Sequence, residues 1–394
     1  MDTARFASRP NRLPLKPTPH LVSGLGEVRA SDWDALFPAT YPFTRHAFLR
    51  ALETHGCVGG ATGWEPNHLA MADAQGTLVA AAPRYRKLHS YGEFVFDFAW
   101  ARASEQLGHA YYPKQICAIP FAPVSGPRFG ARDDVARRAL LDALKQDWQN
   151  SDESSQHALF VNENEAAACE AIGALVRLDV QFHWHRDGET DFAGFLARLP
   201  HDKRKKILRE RRRVIEAGIR FETRHGDELS EAEWVDVFAL YANTYEERGQ
   251  PPYLNLPFFL DYGRGKDTPL RLILAYEDGR LIAVALCLVG GDTLYGRHWG
   301  CAEKYHSLHF ETCYYQGIEF CLREGLMHFD AGAQGEHKRH RGFEPVLTRS
   351  CHWLADARLH EAVKRFLEQE RAGVEEYRAE IAARQFKKSE PVLG

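Results

Sequence analysis

Several signatures are missing from this sequence, and each absence removes a class of function. It contains no Gly-x-x-x-x-Gly-Lys-Ser/Thr loop and no Gly-x-Gly-x-x-Gly turn, so nothing is built to cradle a nucleotide or dinucleotide phosphate in those ways. His-Glu-x-x-His and Gly-x-Ser-x-Gly are absent too, which argues against zinc and serine hydrolysis. None of the eight cysteines forms a Cys-x-x-Cys pair, so neither a zinc ribbon nor a thioredoxin-like site is expected, and no metal site is expected at all. No run of eighteen apolar residues occurs, so no transmembrane segment is expected. Met1 to Leu25 has prolines and four cations but no apolar stretch of the secretory kind. Thiols without disulfide spacing fit a reducing compartment, and a cytoplasmic protein is expected. A net charge of only -4 provides no global field toward nucleic acid, and DNA is not an expected partner.

What is present is 394 residues, 44% hydrophobic and 26% charged, an ordinary globular balance with room for two domains. Residues 1–25 read as a flexible arm. From there to residue 190, periodicity predicts helices at 32–37, 44–55, 132–148 (Val135, Leu140, Leu141 and Leu144 inward) and 163–175. Strands are expected at 68–71, 78–85, 158–161 and 180–184. Residues 191–394 repeat that order, with a basic helix at 202–218, a helix at 231–248, strands at 270–276, 281–289 and 293–299, a helix at 308–325, a strand at 327–330 and a long helix at 361–386. Asp73-Ala74-Gln75-Gly76 and Glu277-Asp278-Gly279-Arg280 are hairpin turns. Antiparallel strands followed by a helix-linked finish define α+β units, two in number.

Chemistry concentrates in five places. The densest is Phe329-Asp330-Ala331-Gly332-Ala333-Gln334-Gly335-Glu336-His337-Lys338-Arg339-His340-Arg341-Gly342-Phe343, which follows a helix and a short strand. Side chains leaving strand ends together are where α/β folds place their sites. On the strand before, alternation would put Tyr295, Arg297 and Trp299 on one face, an arginine between two aromatics flooring a polar pocket. The next helix opens with Ser307 as its cap and carries His309 and Glu311, candidates for proton transfer. Asp202 to Arg213 holds eight cations against two acids; Lys203, Arg204, Lys205, Lys206, Arg209 and Arg212 form a candidate phosphate-contacting face. In the first half, Lys87 and Asp97 flank an apolar stretch read as a strand.

These motifs, together with Tyr111-Tyr112-Pro113-Lys114, Leu199-Pro200-His201-Asp202-Lys203 and Leu308-His309-Phe310-Glu311-Thr312, resemble the FemAB-like N-acyltransferases of the GNAT superfamily, of the peptidoglycan biosynthesis/recognition type, over roughly residues 28–386. The resemblance implies an α+β fold of two fused GNAT-like units. More distantly the chain is similar to Fem aminoacyltransferases and to leucyl/phenylalanyl-tRNA-protein transferases, whose donor is aminoacyl-tRNA. Where GNAT enzymes carry a small-residue loop for the CoA pyrophosphate, this sequence has Lys304-Tyr305-His306-Ser307-Leu308-His309. The resemblance therefore implies an N-acyltransferase acting on a small-molecule or peptide amine, with aminoacyl-tRNA favoured over acyl-CoA as co-substrate and no bound cofactor. The catalytic set it implies is Asp330, Gln334, Glu311 and His309. Arg297, Trp299, Tyr295, Glu336, His337, Lys338, Arg341, Asp97 and Lys87 would bind substrate. A non-catalytic module recognising a cell-wall precursor or a protein, and an RNA binder acting through the basic helix, are the competing readings.

Overall fold

The computed structural model describes residues 17–386, apart from Lys304 and Gln334. The first half supplies β1 (Thr18–Val22), β2 (Trp64–Pro66), β3 (His68–Ala72), β4 (Leu78–Ala82), β5 (Arg84–Lys87), β6 (Lys114–Cys117), β7 (Gly130–Ala131), β8 (Ser155–Val161) and β9 (Leu175–His185). The second half supplies β10 (Arg220–His225), β11 (Leu270–Glu277), β12 (Arg280–Gly290), β13 (Thr293–Cys301), β14 (His328–Asp330) and β15 (Glu344–Leu354). Eleven strands form one sheet in the order β10-β11-β12-β13-β14-β9-β15-β8-β6-β5-β2, and β1-β3-β4-β7 form a second.

Both hairpins close as their turn residues dictate. The Asp73 carboxylate accepts from the N–H groups of Gln75 and Thr77, both at 3.0 Å, between β3 and β4. Asp278 and Gly279 sit at φ 50° and 80°, the pair of positive angles a tight two-residue hairpin needs between β11 and β12. The halves interlock rather than abut. β15, the last strand among the described residues, runs antiparallel to β9 from Glu344↔His183 to His352↔Leu175 and pairs along its other edge with β8. β9 in turn pairs with β14, so the sheet is continuous across the chain's midpoint.

On one face of the second half's strands, Trp234, Val237 and Tyr241 of the helix Glu231–Glu246 pack on Leu272, Leu274, Val284 and Leu286. On the other, Tyr315 and Ile318 join Ile207 of the basic helix over Ile273, Ala285 and Leu294. Each such side chain, fully buried, contributes about 1.5–3 kcal/mol. The helix Glu231–Glu246 lies so close to β13 that a Cβ at Gly300 would stand 2.0 Å from the Leu240 carbonyl oxygen. Thr244 and Asn243 use that approach to donate to the carbonyls of Trp299 and Cys301, at 2.7 and 2.8 Å.

The structure corrects several sequence expectations. Residues 18–22 of the expected arm form β1, antiparallel to β3, and Leu25 is fully buried; residues 1–16 lie outside the described residues. Val135 is 79% exposed, because Asp133 caps the helix Asp134–Gln149 so that Ala136, Leu140, Leu141 and Leu144 make the inward stripe. Residues 88–97 are a loop, not a strand, and lead into an unexpected helix, Phe98–Gln106. β15 was not expected either. The basic helix spans His201–Glu216 and the long C-terminal helix Ala357–Ala382.

Buried histidines make the fold acid-sensitive. Burial, with Lys114 nearby, takes His157 down to about 3, and burial with Arg297 does the same to His298. Below pH ~6.5 the unfolded chain takes up protons that the folded chain refuses. Stability is therefore expected to be full above that pH and to fall steadily as pH drops toward 3. Urea midpoints at pH 7.5, 6 and 5 check it; midpoints that stay level across that range would contradict the reading.

Candidate active site

The site begins with a failure of pairing. β13 and β14 are parallel but pair through only three residues, Thr293↔His328, Leu294↔Phe329 and Tyr295↔Asp330. β14 then ends, while β13 continues to Cys301 against β12. The two chains splay, and a cleft of about 550 Å³ opens between them. Its walls are Gly296 to Trp299 on one strand, Ala331 to Ala333 leaving the other, and His309, Cys313, Tyr314 and His337 beyond. Past Tyr295 the edge of β13 is open, presenting its backbone to whatever fills the cleft.

A β-bulge sets the side chains. Gly296 pairs with Cys287 and His298 with Leu286, which leaves Arg297 as the extra residue. The bulge separates the trio expected on one face. Tyr295 lies against Phe43 and Tyr41 (ring centroids 5.2 and 6.2 Å apart) and does not line the cleft. Trp299 stacks edge-on to His309 at 5.1 Å. Arg297 turns to Asp330, its Nη2 2.7 Å from Oδ1, with both side chains almost fully buried (3% and 2% exposed). Asp330 Oδ1 also accepts from the Gly332 N–H at 2.9 Å, and His183 Nε2 stands 3.7 Å away. Burial pushes the Asp330 carboxyl up, but Arg297, His183 and the Gly332 N–H hold it net below the usual carboxylate range. Asp330 Oδ2 and Arg297 Nε have no hydrogen-bond partner among the described residues. A buried ion pair with one hydrogen bond unmade on each side, at the root of an open cleft, has capacity left for a ligand.

Lys338 is buried beside this pair and donates to the Gly332 carbonyl oxygen. Burial takes its ammonium down to about 8, against the pull of Asp330. His309 is taken down to about 4 by burial and by the charges of His337, Lys338 and Arg341. Its Nδ1 lies 3.5 Å from Cys313 Sγ and its Nε2 3.4 Å from Tyr314 Oη, which in turn is 2.8 Å from His337 Nε2. The helix that carries these groups is wound as a π turn over Glu311–Tyr315, a feature frequent at functional sites.

That turn also sends Glu311 away. Its carboxylate meets Arg211 of the basic helix (3.0 Å) and accepts from Gln316 (2.9 Å), on the far side from the cleft. Ser307 does not cap the helix; it sits at φ 71° and bonds His306. Arg341 is buried against Glu210 of the basic helix (2.7 Å) with its guanidinium 3.4 Å from the Phe310 ring centroid, so it fastens the turn Glu336–Arg341 instead of facing the cleft. Glu336 is exposed and accepts from Tyr377. Gln334 lies outside the described residues.

Lys87 and Asp97 are buried under the loop they flank. Lys114 Nζ reaches Asp97 (2.5 Å), Glu93 and Ser90 (2.8 Å each), and Lys87 stands 4.0 Å from Glu93 and over the Trp64 ring. The loop above contributes Tyr91, Phe94 and Phe96 to the cleft wall opposite β13, where Phe121 and Tyr253 stack at 4.7 Å. Sequence reasoning missed this aromatic wall, and Cys313 and Tyr314. The first unit therefore lines the same cleft as the second. Along the basic helix, Lys205, Arg209 and Arg212 are exposed and make no salt bridge with a described residue. Lys203 instead donates to Gln385, and Arg204 and Lys206 are half-buried.

The family model for FemAB-like proteins, described as peptidoglycan biosynthesis/recognition, matches residues 24–388. The chain belongs to that family, and its fold is of mixed helices and sheets, α+β. Among solved structures it is similar to the C-terminal domain of a protein described as a lysylphosphatidylglycerol synthetase from Agrobacterium fabrum, at 9% identity over 88% of this chain and 97% of that one, with a TM-score of 0.51. L-PGS from Bacillus licheniformis is similar at 10% identity over 84% and 95%, also with a TM-score of 0.51. A tandem GNAT protein from the clavulanic acid biosynthesis pathway aligns at 13% identity over 86% and 99%, with a TM-score of 0.44. No curated protein matches the chain. At such identities the two synthetase structures speak to the fold alone. Among the described residues no helix is long and apolar enough to cross a membrane, and no group of three His, Cys, Asp or Glu side chains is placed to hold a metal ion.

Proposed function

We propose that the chain is an N-acyltransferase that moves an acyl or aminoacyl group from an activated ester to an amine, with aminoacyl-tRNA as the donor. The observation that carries the reading is the cleft at the splay of β13 and β14, with an open bulged strand edge above the buried Arg297–Asp330 pair. In such a transfer the amine nitrogen attacks the ester carbonyl carbon, a C–N bond forms and the C–O bond to the leaving oxygen breaks. Backbone N–H groups at the bulge are donors for the developing oxyanion. The free oxygen of Asp330 is an acceptor that can orient the amine. Lys338 sits close enough to the pair to share that task, and neutral His309 is free to take a proton.

Support for the tRNA donor comes from the basic helix. Lys206 and Lys203 lie near His340 and Arg339, so its cations continue into the turn whose His337 lines the cleft. Sixteen residues of helix extend about 24 Å, a length suited to tracking a phosphate backbone. Reversing Lys205, Arg209 and Arg212 to Glu is expected to weaken tRNA binding and lower its salt dependence by roughly one unit per residue. Nitrocellulose-filter titrations between 50 and 300 mM salt, on the order used for such slopes, read the change.

The direct test offers the purified chain a charged tRNA pool or a panel of acyl-CoAs, each with amine-bearing acceptors, and follows donor consumption. Loss of the aminoacyl ester only when an acceptor is present supports the proposal. Consumption of acyl-CoA alone reassigns the donor, and consumption of neither sinks the reading.

A further inference from the structure

We infer that Tyr314 is a catalytic relay residue, its phenol carrying the proton lost by the attacking amine from His309 in the cleft to His337 at the solvent-exposed mouth. This rests on the acyl-transfer reading above and names a group that reading does not need.

Each of these contacts can be donated either way, and the relay runs in the set in which every group donates outward. The Cys313 thiol donates to His309 Nδ1, at 3.5 Å. That tautomer leaves the hydrogen on Nε2, which donates to Tyr314 Oη at 3.4 Å. The phenol then donates to His337 Nε2 at 2.8 Å. His309 is half-buried and lines the cleft; His337 lines it too and is exposed. A proton taken up at His309 Nδ1 in place of the thiol's therefore moves outward in three steps: Nε2–H to the phenol, phenol to His337, His337 to water. The attacking amine loses one N–H proton, and the departing ester oxygen gains one from solvent or from the same chain, so the balance closes and no charge is stored.

The surroundings favour passage over storage. Lys338 lies 5.9 Å from the Tyr314 ring centroid, and Arg341 and Lys206 add positive charge near His337, which Glu210 opposes. Both imidazoles are thereby kept neutral and ready to accept, and neither holds a proton for long. The Tyr314 ring is fixed by Phe310, stacked at 6.1 Å, and by Phe343, edge-on at 5.3 Å, so a phenylalanine at 314 keeps the packing and removes only the hydroxyl.

The experiment compares the full-length chain with Tyr314→Phe and His337→Ala under steady-state acyl transfer. Tyr314→Phe is expected to lower kcat roughly 100-fold with KM unchanged, and to shrink the solvent deuterium isotope effect. His337→Ala is expected to lose a similar factor and to regain it with added imidazole, which has no such effect on Tyr314→Phe. If the unaltered chain consumes no donor at all, the acyl-transfer reading falls and the relay with it. If it turns over and Tyr314→Phe matches it, or imidazole fails to rescue His337→Ala, the relay alone is wrong.

Discussion

Asp330→Ala is expected to cost about 3–5 kcal/mol of stability, because it leaves the Arg297 guanidinium buried with no carboxylate beside it. In the native fold that guanidinium is 3% exposed, bonds Oδ1 at 2.7 Å and already has an unpartnered Nε. Removing the partner leaves the charge without a carboxylate at the foot of the β13–β14 splay, on a side chain that is 3% exposed. Acyl transfer is expected to disappear as well. The two losses separate in a double variant. Arg297→Met with Asp330→Ala replaces the ion pair with apolar groups and should recover most of the urea midpoint, while donor consumption stays at background. If the double variant regained activity along with stability, Asp330 would be a structural anchor and the oriented-amine role would fall. The pH dependence has a defined sign. Asp330 is held below its ordinary value of 3.8, so its stabilising contribution is present above that pH and is lost as pH falls through the lower folded value.

Which parts of this were legible in the sequence follows from how local their causes are. The hairpins at Asp73 and Asp278 were readable because the turn residues themselves fix the geometry. Arg297, Trp299, His309, Asp330, His337 and Lys338 meet at one cleft because they lie on consecutive elements around a single strand end, and motif spacing shows that. Tyr295 was misplaced because a bulge has no signature in alternation; one extra residue at Arg297 turns every later side chain over. Glu311 and Arg341 were misjudged for another reason. Their partners, Arg211 and Glu210, lie a hundred or more residues away on the basic helix, whose inward charges look like solvated ones in the sequence. β15 was hidden because it is central, flanked by β9 and β8, and its mixed polar and apolar residues answer to neighbours on both sides. The aromatic wall escaped for the opposite reason. Tyr91 and Phe96 are 59% and 63% exposed, and no core pattern points to rings that face a cleft.

That wall depends on buried charges beneath it, and Lys114→Met is expected to cost a further 3–5 kcal/mol-sized loss of its own, about as large as that of Asp330→Ala. Lys114 is the central cation under the loop 88–97, reaching Ser90, Glu93 and Asp97 at once. Burial pushes Asp97 up, yet Lys114 holds it net down at about 2, while burial lifts Glu93 to about 7 despite the same lysine. Asp97 is therefore the carboxylate that carries the charge, and burial lowers the neighbouring Lys87, 4.0 Å from Glu93, to about 7. With the Lys114 ammonium gone, both carboxyls are expected to rise above their unfolded values. A raised acid stabilises below its unfolded value and loses that contribution as pH climbs through the folded one. The penalty of Lys114→Met should accordingly be largest near pH 8 and smaller at pH 5, and urea midpoints of the variant and the unaltered chain at both pH values measure it. Because Ser90, Glu93 and Asp97 all belong to the loop or its end, the same change should loosen Tyr91, Phe94 and Phe96 from the cleft wall. KM should then rise more than kcat falls, since these rings touch the parts of a substrate that do not react. A penalty that stays level between pH 8 and pH 5 would mean that the two carboxyls are not the groups left strained in the variant.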